Sequence, residues 1–166
     1  MAHRAFIGVG SNLGDRSANI REAIDRLNGL DNTEVVRLSS FYESEPHGDA
    51  KTWFVNAAME VETEFHAANF LKELQAIEKA MGRKRVKGKK WGARVIDLDI
   101  LFFDHEVTKS KTLHLPHPRI AERKFVLLPL AEIAPQLNHP DLSQTVSQIL
   151  AGTQDTKRIS LLPPRS

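Results

Sequence analysis

The stretch RVIDLDILFFD, from Arg94 to Asp104, places acidic residues inside a run that is otherwise almost wholly apolar. Its β-branched and aromatic residues are typical of a buried strand. Asp97 and Asp99 lie within it, separated by one leucine, and two carboxylates buried side by side without partners are costly. The pair therefore needs a partner, and the rest of the sequence indicates what that partner is.

Strand geometry predicts that both carboxylates project from one face, because alternate residues of a strand share a face. Their Cα atoms are then roughly 7 Å apart. Oxygen ligands at this spacing suit Mg²⁺, which takes one or two carboxylates with waters and substrate phosphates, and two carboxylates can also bridge a pair of metal ions. Two plainer interpretations stay open: the aspartates pair with nearby arginines, or the strand lies at a solvated edge. One face is expected to hold Val95, Asp97, Asp99 and Leu101, and the core face Ile96, Leu98, Ile100 and Phe102.

The segment before this strand is strongly basic. From Arg83 to Arg94 the sequence RKRVKGKKWGAR holds seven Lys or Arg residues and no acidic one. Without those seven, acidic residues outnumber basic ones, so the positive charge is concentrated beside the aspartates. A polyphosphate held by cations and a metal explains this juxtaposition, whereas a solvated loop or a nucleic-acid surface explains the charge alone. Strict alternation would point Arg94 toward the core, so we expect the regular strand to start just after it.

Other motifs are less specific. The glycines of GVGSNLGD miss the spacing of a dinucleotide-binding loop and lack the Gly-Lys-Ser/Thr of a P-loop, so a tight strand-to-helix turn is expected. His114 and His117 have no carboxylate at metal-ligand spacing, which favours neutral donors or structural residues. Phe54 and Phe125 suit an ordinary core, but Asn56 lies between apolar residues of a predicted strand, where its amide needs partners.

The composition fits one globular domain over residues 1–166. The chain has a net charge of +2 and no cysteine, which excludes disulfides and thiolate metal sites. No run approaches the roughly 18 apolar residues of a membrane helix, and the first residues lack a secretory pattern. We expect a cytoplasmic monomer with no membrane and no nucleic-acid partner. The tail LLPPRS is expected to be a loose end.

The order of predicted elements indicates an α/β fold of the α+β type. Strands are predicted over residues 3–10, 35–42, 54–63 and 94–104, with a short edge strand at 113–115. Amphipathic helices follow the first and third strands. A helical segment over residues 122–134, interrupted at Pro129, and a last helix over 142–150 complete the chain. This order predicts a ferredoxin-like βαββαβ two-layer sandwich with additional C-terminal helices.

Taken together, these motifs resemble the family of 6-hydroxymethyl-7,8-dihydropterin pyrophosphokinases, the ATP-dependent enzymes of folate biosynthesis. The resemblance runs over nearly the full chain, since GSNLGD, SSFYESEP, FVNAAMEVET, KWGARVIDLDILFF and LPHPRIAERKFVLLPLAEIAP follow in the family's order. It implies a ferredoxin-like fold and transfer of pyrophosphate from ATP to the pterin's hydroxymethyl oxygen, leaving AMP. It also implies two Mg²⁺ ions as cofactors and ATP as co-substrate.

The resemblance also assigns roles to residues by motif. Asp97 and Asp99 match metal ligands and, with Arg83 and Arg94, catalytic residues. The gap before Trp91 is one residue longer than the family pattern, which places the basic residues ahead of it less surely. The positions that match pterin-binding residues are Ser44, Glu45, His47, Phe54, Asn56 and Phe125. The positions that match ATP-binding residues are Gln75, Glu78, Arg85, Lys90, Trp91, Ile100, His117 and Arg123.

Two rival interpretations use the same features. A glycosyltransferase with a D-x-D motif would need a second substrate domain, for which 166 residues leave little room. A ferredoxin-like RNA-binding module would use the basic run, but the chain lacks the aromatic-rich motif of RNA-recognition sheets. Release of AMP from ATP in the presence of Mg²⁺ and the pterin would separate all three.

Overall fold

The computed structural model of the protein describes residues 2–46, 51–82 and 94–163. Within these residues ten strands and four α-helices follow one another. The strands are β1 His3–Ser11, β2 Thr33–Leu38, β3 Tyr42–Ser44, β4 Phe54–Thr63, β5 Asp97–Phe103, β6 Thr108–Lys109, β7 His114–Leu115, β8 Asn138–His139, β9 Gln144–Thr145 and β10 Ile159–Leu161. The helices are α1 Arg16–Asn28, α2 Ala67–Ala80, α3 Lys124–Ile133 and α4 Val146–Gly152, with a 3-10 turn at Ile120–Glu122. None of these described helices has the length and apolarity that crossing a bilayer requires.

Six strands form one antiparallel sheet at the centre of the molecule. In the described residues its order is β10-β3-β4-β1-β5. β3 pairs with the first residues of β4, and β2 pairs with the last residues of β4. β1 lies between β4 and β5, and both of its faces contribute apolar residues to a core cluster. Ile7 packs in the core cluster on one face and Phe6 in the cluster on the other.

Helices cover both faces of this sheet. α1 and α2 bury Ile20, Leu27 and Leu74 against one face, as their helical spacing predicted. α3 and α4 bury Leu127 and Ile149 against the opposite face. The C-terminal helices therefore form a third layer, whereas the sequence predicted two layers with additional helices. The reason is that the second face is also apolar and must be removed from water.

The single strand predicted over residues 35–42 is wrong, because the chain forms β2 and β3 there. The break falls at Ser39, whose N–H donates to the Ala58 carbonyl at 2.9 Å. The Ser39 hydroxyl accepts from the Ala58 N–H, also at 2.9 Å. A side-chain oxygen thus replaces a backbone acceptor and interrupts the regular ladder. The pattern of hydrophobic alternation in the sequence does not predict such a contact.

The face predicted for Phe102 is also wrong. β1 and β5 pair regularly up to Ile7 and Ile100, but Phe6 is then opposite Phe102. Leu101 is therefore an extra residue, a β-bulge, after which the alternation shifts by one. Phe102 joins Leu101 in the cluster beneath α3 and α4. The two aspartates precede the bulge and keep their predicted face.

Pro129 does not interrupt the third helix, contrary to the prediction. α3 runs through it to Ile133, and Pro129 is buried. A proline inside a helix removes one N–H donor. Burial of the flanking Leu127 and Leu130 against the sheet offsets that loss, because packing outweighs local propensity.

The C-terminal part of the chain differs from the prediction in two places. α4 begins at Val146, later than predicted, because Thr145 and Gln148 form a capping box. The tail is not a loose end as far as it is described, since β10 pairs with β3 and the Leu162 N–H donates to the Phe41 carbonyl. The predicted short strand at 113–115 is confirmed as β7, which pairs with β6.

Candidate active site

Asp97 and Asp99 lie at the start of β5. Leu98 and Ile100 alternate with them and are buried beneath α1 and α2, so both carboxylates project from the opposite face, as predicted. Asp99 is exposed, and the Asp97 side chain is 30 % exposed. The face that carries the two charges is therefore accessible to solvent and ligands.

Glycines lie beside both aspartates on the neighbouring strand. In β1, Gly10 pairs with Asp97 and Gly8 with Asp99, and on its other side Gly10 pairs with Asn56 of β4. A Cβ at Gly10 would lie 2.8 Å from Asn56 Oδ1, so only glycine fits without displacing that amide. Because neighbouring strands are about 4.8 Å apart, the row Asn56–Gly10–Asp97 separates an amide from a carboxylate by roughly 10 Å. No side chain stands between them on this row, which we call the glycine floor.

Asn56 is buried at one end of the glycine floor. Its Nδ2 donates to Ser44 Oγ at 2.6 Å, and the two residues are 5 % and 2 % exposed. The partner that its amide needs is therefore present. One N–H and the amide carbonyl have further hydrogen-bonding capacity. Phe54 lies on the same face of β4, two residues earlier, and is also buried.

Arg94 precedes β5 and binds Asp97. Its Nη1 lies 3.2 Å from Asp97 Oδ1. The regular strand begins at Asp97, after Arg94, so the guanidinium can turn to the carboxylate face. The plainer interpretation, in which an arginine pairs with an aspartate, is thus correct for this contact. The pair also places a cation beside the aspartates.

Asn12 holds Arg94 in place and was not among the predicted site residues. Its Oδ1 accepts from the Arg94 N–H at 2.5 Å, and its own N–H donates to the Arg94 carbonyl at 3.0 Å. Asn12 is 3 % exposed, and among the described residues its Nδ2 has no hydrogen-bond partner. A buried donor without a partner is costly. The available signal is the GSNLGD motif, which predicts a turn and contributes to the family resemblance but does not by itself indicate this role of Asn12.

The start of α3 adds a cation and an aromatic ring. The Arg123 guanidinium lies 5.6 Å from the centroid of the Phe125 ring, within cation–π range. Burial, followed by repulsion from Arg119, lowers the pKa of Arg123, while Asp99 and Asp97 act in the opposite direction. Arg123 is therefore within electrostatic reach of both aspartates, and α3 brings it to the carboxylate face.

His117 is a neutral imidazole close to Arg123. Burial, then the charges of Arg123, Arg119 and His114, lower its pKa to about 4. Its Nδ1 accepts from the Arg119 N–H at 3.2 Å, so the neutral ring carries its proton on Nε2. This agrees with the neutral role that the sequence favoured. His114 is exposed in β7.

The residues predicted to hold the nucleoside lie on α2 and in β5. Gln75 is exposed on α2, and Ile100 is buried in the sheet. Glu78 is 4 % exposed, and its Oε2 accepts from the Leu98 N–H at 3.0 Å. Leu98 separates the two aspartates, so Glu78 holds the backbone of the metal-ligand candidates. Nucleoside contacts of these residues stay a prediction.

Of the predicted site residues that are described, some meet at one end of the sheet, whereas Gln75, Glu78 and Ile100 lie on the side that α2 covers. Ser44, Asn56, Asp97 and Arg123 lie near the same face, on β3, β4, β5 and the start of α3. Glu45 follows β3 and is held by the C-terminal residues of the chain. The predicted site residues that lie outside the described residues are His47, Arg83, Arg85, Lys90 and Trp91.

Comparisons with known proteins agree on one family. The sequence matches a family model described as 7,8-dihydro-6-hydroxymethylpterin-pyrophosphokinase over residues 6–135. A Methylorubrum extorquens protein named 2-amino-4-hydroxy-6-hydroxymethyldihydropteridine pyrophosphokinase is 42 % identical over 135 residues, which are 81 % of this chain and 84 % of that protein. A Haemophilus influenzae protein of the same name is 39 % identical over 160 residues, 96 % of this chain and 98 % of that protein.

A solved structure supports the fold. The crystal structure of Plasmodium falciparum HPPK-DHPS wild type with pteroate superposes with a TM-score of 0.71 at 14 % identity, and the match covers 91 % of this chain and 44 % of that longer chain. The sequence matches make this protein a transferase of the kinase type. The chain belongs to the 7,8-dihydro-6-hydroxymethylpterin pyrophosphokinase family, whose members act in folate biosynthesis with ATP as the pyrophosphoryl donor.

Proposed function

We propose that the glycine floor is where this chain transfers pyrophosphate from ATP to the hydroxymethyl oxygen of 6-hydroxymethyl-7,8-dihydropterin. The hydroxyl oxygen forms a bond to the β-phosphorus, and its proton is released to solvent. The bond from that phosphorus to the oxygen bridging to the α-phosphate breaks, and AMP leaves. The observation that carries this proposal is the row Asn56–Gly10–Asp97, which sets an amide for the pterin edge opposite a carboxylate for the triphosphate side.

Asp97 and Asp99 are the proposed ligands of two Mg²⁺ ions. Two carboxylates on one face suit Mg²⁺, which completes its coordination with waters and phosphate oxygens. The described residues contain no cluster of three or more histidine and acidic side chains. Waters and triphosphate oxygens are the further ligands proposed here. When bound, Mg²⁺ neutralises phosphate charge and orients the triphosphate for in-line attack.

Arg94, Arg123 and His117 are the proposed phosphate partners on the described residues. Both arginines stay cationic near pH 7, and His117 supplies a neutral N–H. Phosphoryl-type transfer depends on positioning and charge neutralisation more than on covalent help, so we propose that no covalent enzyme intermediate forms. Four further residues are predicted to bind ATP or to act in catalysis, and these roles stay predictions: Arg83, Arg85, Lys90 and Trp91.

Phe54, Asn56 and Phe125 are the proposed pterin-binding side chains. Phe54 and Asn56 share one face of β4. Helix α3 carries Phe125 in its first turn and packs over that face through Leu127. Stacking against aromatic rings contributes about 0.5–1.5 kcal/mol beyond the area buried, and the Asn56 amide would discriminate the ring's polar edge. The neighbouring residues proposed to contribute are Ser44, Glu45 and His47.

We also propose that the core of the fold is ferredoxin-like. The chain order β1-α1-β2-β4-α2-β5 and the sheet order β5-β1-β4-β2 support this assignment. The short β3 and the C-terminal elements are then additions to that core. A monomeric state, a cytoplasmic location and the lack of a nucleic-acid partner stay predictions from the sequence.

The reaction is tested by incubating the protein with ATP, Mg²⁺ and the hydroxymethyl-dihydropterin. We expect AMP and the pterin pyrophosphate in equal amounts, and neither product when Mg²⁺ is removed with a chelator. Formation of ADP, or AMP release that does not need the pterin, would contradict the proposal.

A further inference from the structure

The C-terminal segment, residues 153–162, lies beyond the part of the chain that the family model matches, which ends at residue 135. It leaves α4, passes the start of α3 and ends as β10 on β3. Both of these neighbours carry proposed pterin-binding residues, Phe125 in α3 and Ser44 in β3. The C-terminal segment therefore connects two walls of the proposed pterin site.

The first contact is at the start of α3. The N-cap residue, Arg123, makes no side-chain capping bond, although the first N–H groups of a helix need acceptors. Asp155 supplies one, because its Oδ2 accepts from the Lys124 N–H at 2.9 Å. A carboxylate is also favourable at this end of the helix dipole. Thr153 adds a second link, since its Oγ1 donates to the Ala121 carbonyl at 2.7 Å.

The second contact is at the end of β3. Ile159 pairs with Ser44, and the next residue along, Glu45, exchanges two hydrogen bonds with Arg158. The Glu45 N–H donates to the Arg158 carbonyl at 3.0 Å, and Glu45 Oε1 accepts from the Arg158 N–H at 2.8 Å. The Arg158 guanidinium also lies 5.3 Å from the centroid of the Trp53 ring. Glu45, which follows β3, and Trp53, which precedes β4, thus both contact Arg158 of the C-terminal segment.

One carboxylate joins the two contacts. While Asp155 Oδ2 binds the start of α3, its Oδ1 accepts from the Lys157 N–H at 3.0 Å. Lys157 directly precedes Arg158, and its Nζ donates to the Pro46 carbonyl at 3.3 Å. The position of the first turn of α3 is therefore set relative to residues 44–46 through Asp155.

We propose that Asp155 is a positioning residue that fixes the Phe125 wall relative to the Ser44–Asn56 wall and thereby contributes to pterin affinity. Asp155 is not proposed to contact a substrate. The inference rests on the proposed pterin site and adds to it a segment outside the region that defines the family. It predicts a kinetic signature, since a shift of one wall weakens pterin binding more than it slows the transfer step.

The test compares Asp155→Ala with Asp155→Asn. The alanine variant loses both acceptors, and we expect its pterin KM and its pterin Kd from a direct titration to rise about fivefold, which is about 1 kcal/mol at 1.4 kcal/mol per factor of ten. The kcat should change by less than about twofold, and Asp155→Asn, which keeps an acceptor oxygen, should recover part of the affinity. Asp141→Ala removes an exposed carboxylate that binds Lys109 instead and is the matched control, with the wild-type pterin KM.

A merely stabilising role would give a different result. If Asp155→Ala lowers Tm but keeps the wild-type pterin KM and Kd at a temperature where it is folded, the proposal is overturned. If Asp155→Ala does not fold, Lys157→Ala replaces it, because it removes the exposed side chain that donates to the Pro46 carbonyl and keeps the N–H that binds Asp155; a raised pterin KM supports the positioning role and an unchanged one overturns it. A wild-type protein that releases no AMP would instead contradict the proposed function itself.

Discussion

Gly10 separates Asn56 from Asp97 on the sheet, and its lack of a side chain keeps the two groups on one continuous surface. An ideal Cβ at this position would come within 2.8 Å of Asn56 Oδ1. That amide is also bound to Ser44, so a side chain at residue 10 would displace a buried and oriented group. The glycine is therefore part of the proposed site even though it has no functional group.

Gly10→Ala should raise the pterin KM roughly fivefold to tenfold, since a displaced amide forfeits hydrogen bonds that contribute about 1 kcal/mol each. Circular dichroism should show an intact fold. Gly152→Ala is the control, because a Cβ there meets nothing within 4 Å, and its pterin KM should equal that of the wild type. An unchanged pterin KM in Gly10→Ala would remove the support for the glycine floor.

His117 gives the protein a pH dependence of stability with a defined sign. Its pKa is about 4 in the folded state, below the value of about 6.5 expected for an unfolded chain. Between these values the unfolded chain binds a proton that the folded protein excludes. The stability associated with neutral His117 is therefore fully present above pH 6.5 and is lost as the pH falls toward 4.

His117→Gln should consequently lose less free energy of unfolding than the wild type when the pH is lowered from 6.5 to 4. The difference should approach about 3 kcal/mol, since one pKa unit corresponds to 1.36 kcal/mol. Denaturant unfolding at a series of pH values measures it. Parallel curves for the two proteins would show that this imidazole is not held neutral by the fold.

At the scale of elements, β5 is positioned by α2 as well as by β1. Glu78 of α2 accepts from the Leu98 N–H, between the two aspartates. The aspartates project from one face of the strand while this contact reaches its backbone. The bond therefore fixes the carboxylates without occupying them.

Glu78→Leu should destabilise the protein by about 1–3 kcal/mol, because the buried Leu98 N–H would lose its acceptor. Glu78→Gln keeps an acceptor oxygen and should lose less. Amide hydrogen exchange at Leu98 should be faster in the leucine variant and nearly unchanged in the glutamine variant. Equal exchange rates in all three proteins would mean that the strand is held by other contacts.

The elements that the sequence predicted well are those determined by local pattern. Ile20 and Leu27 in α1, and Leu74 in α2, belong to apolar stripes. Such stripes predict helices because their residues recur at helical spacing. The predicted faces failed where a long-range contact decides the geometry. The bulge at Leu101 depends on the partner strand, and the break at Ser39 depends on a hydroxyl that binds Ala58. A local pattern contains neither partner.

The candidate site follows the same division. Asp97, Asp99 and Asn56 were predicted because a charged or amide group in an apolar strand needs a partner. Asn12 and Asp155 were missed, since each acts by binding the backbone of residues far away in sequence. Glu78 was predicted as a nucleoside contact, and its bond to β5 became visible only when α2 was placed beside the strand.

For the whole molecule, helices on both faces of one sheet hold the site at the end where β1, β4, β5 and α3 meet. The two core clusters bury the apolar residues of both faces. The proposed site lies at the polar end of the sheet. The C-terminal segment connects α3 to β3 across that end. The fold therefore holds an amide, two carboxylates and two cations near one end of the sheet.

The proposed function depends on Asp97 and Asp99 binding the divalent ions that hold the triphosphate of ATP. The most direct measurement is the rate of AMP release by Asp97→Ala at saturating Mg²⁺, ATP and pterin. We predict a rate more than tenfold below the wild type, a loss above about 1.4 kcal/mol, while Asp31→Asn, which alters an exposed acid in the turn before β2, keeps the wild-type rate. A folded Asp97→Ala protein that retains more than a tenth of the wild-type rate would contradict the claim.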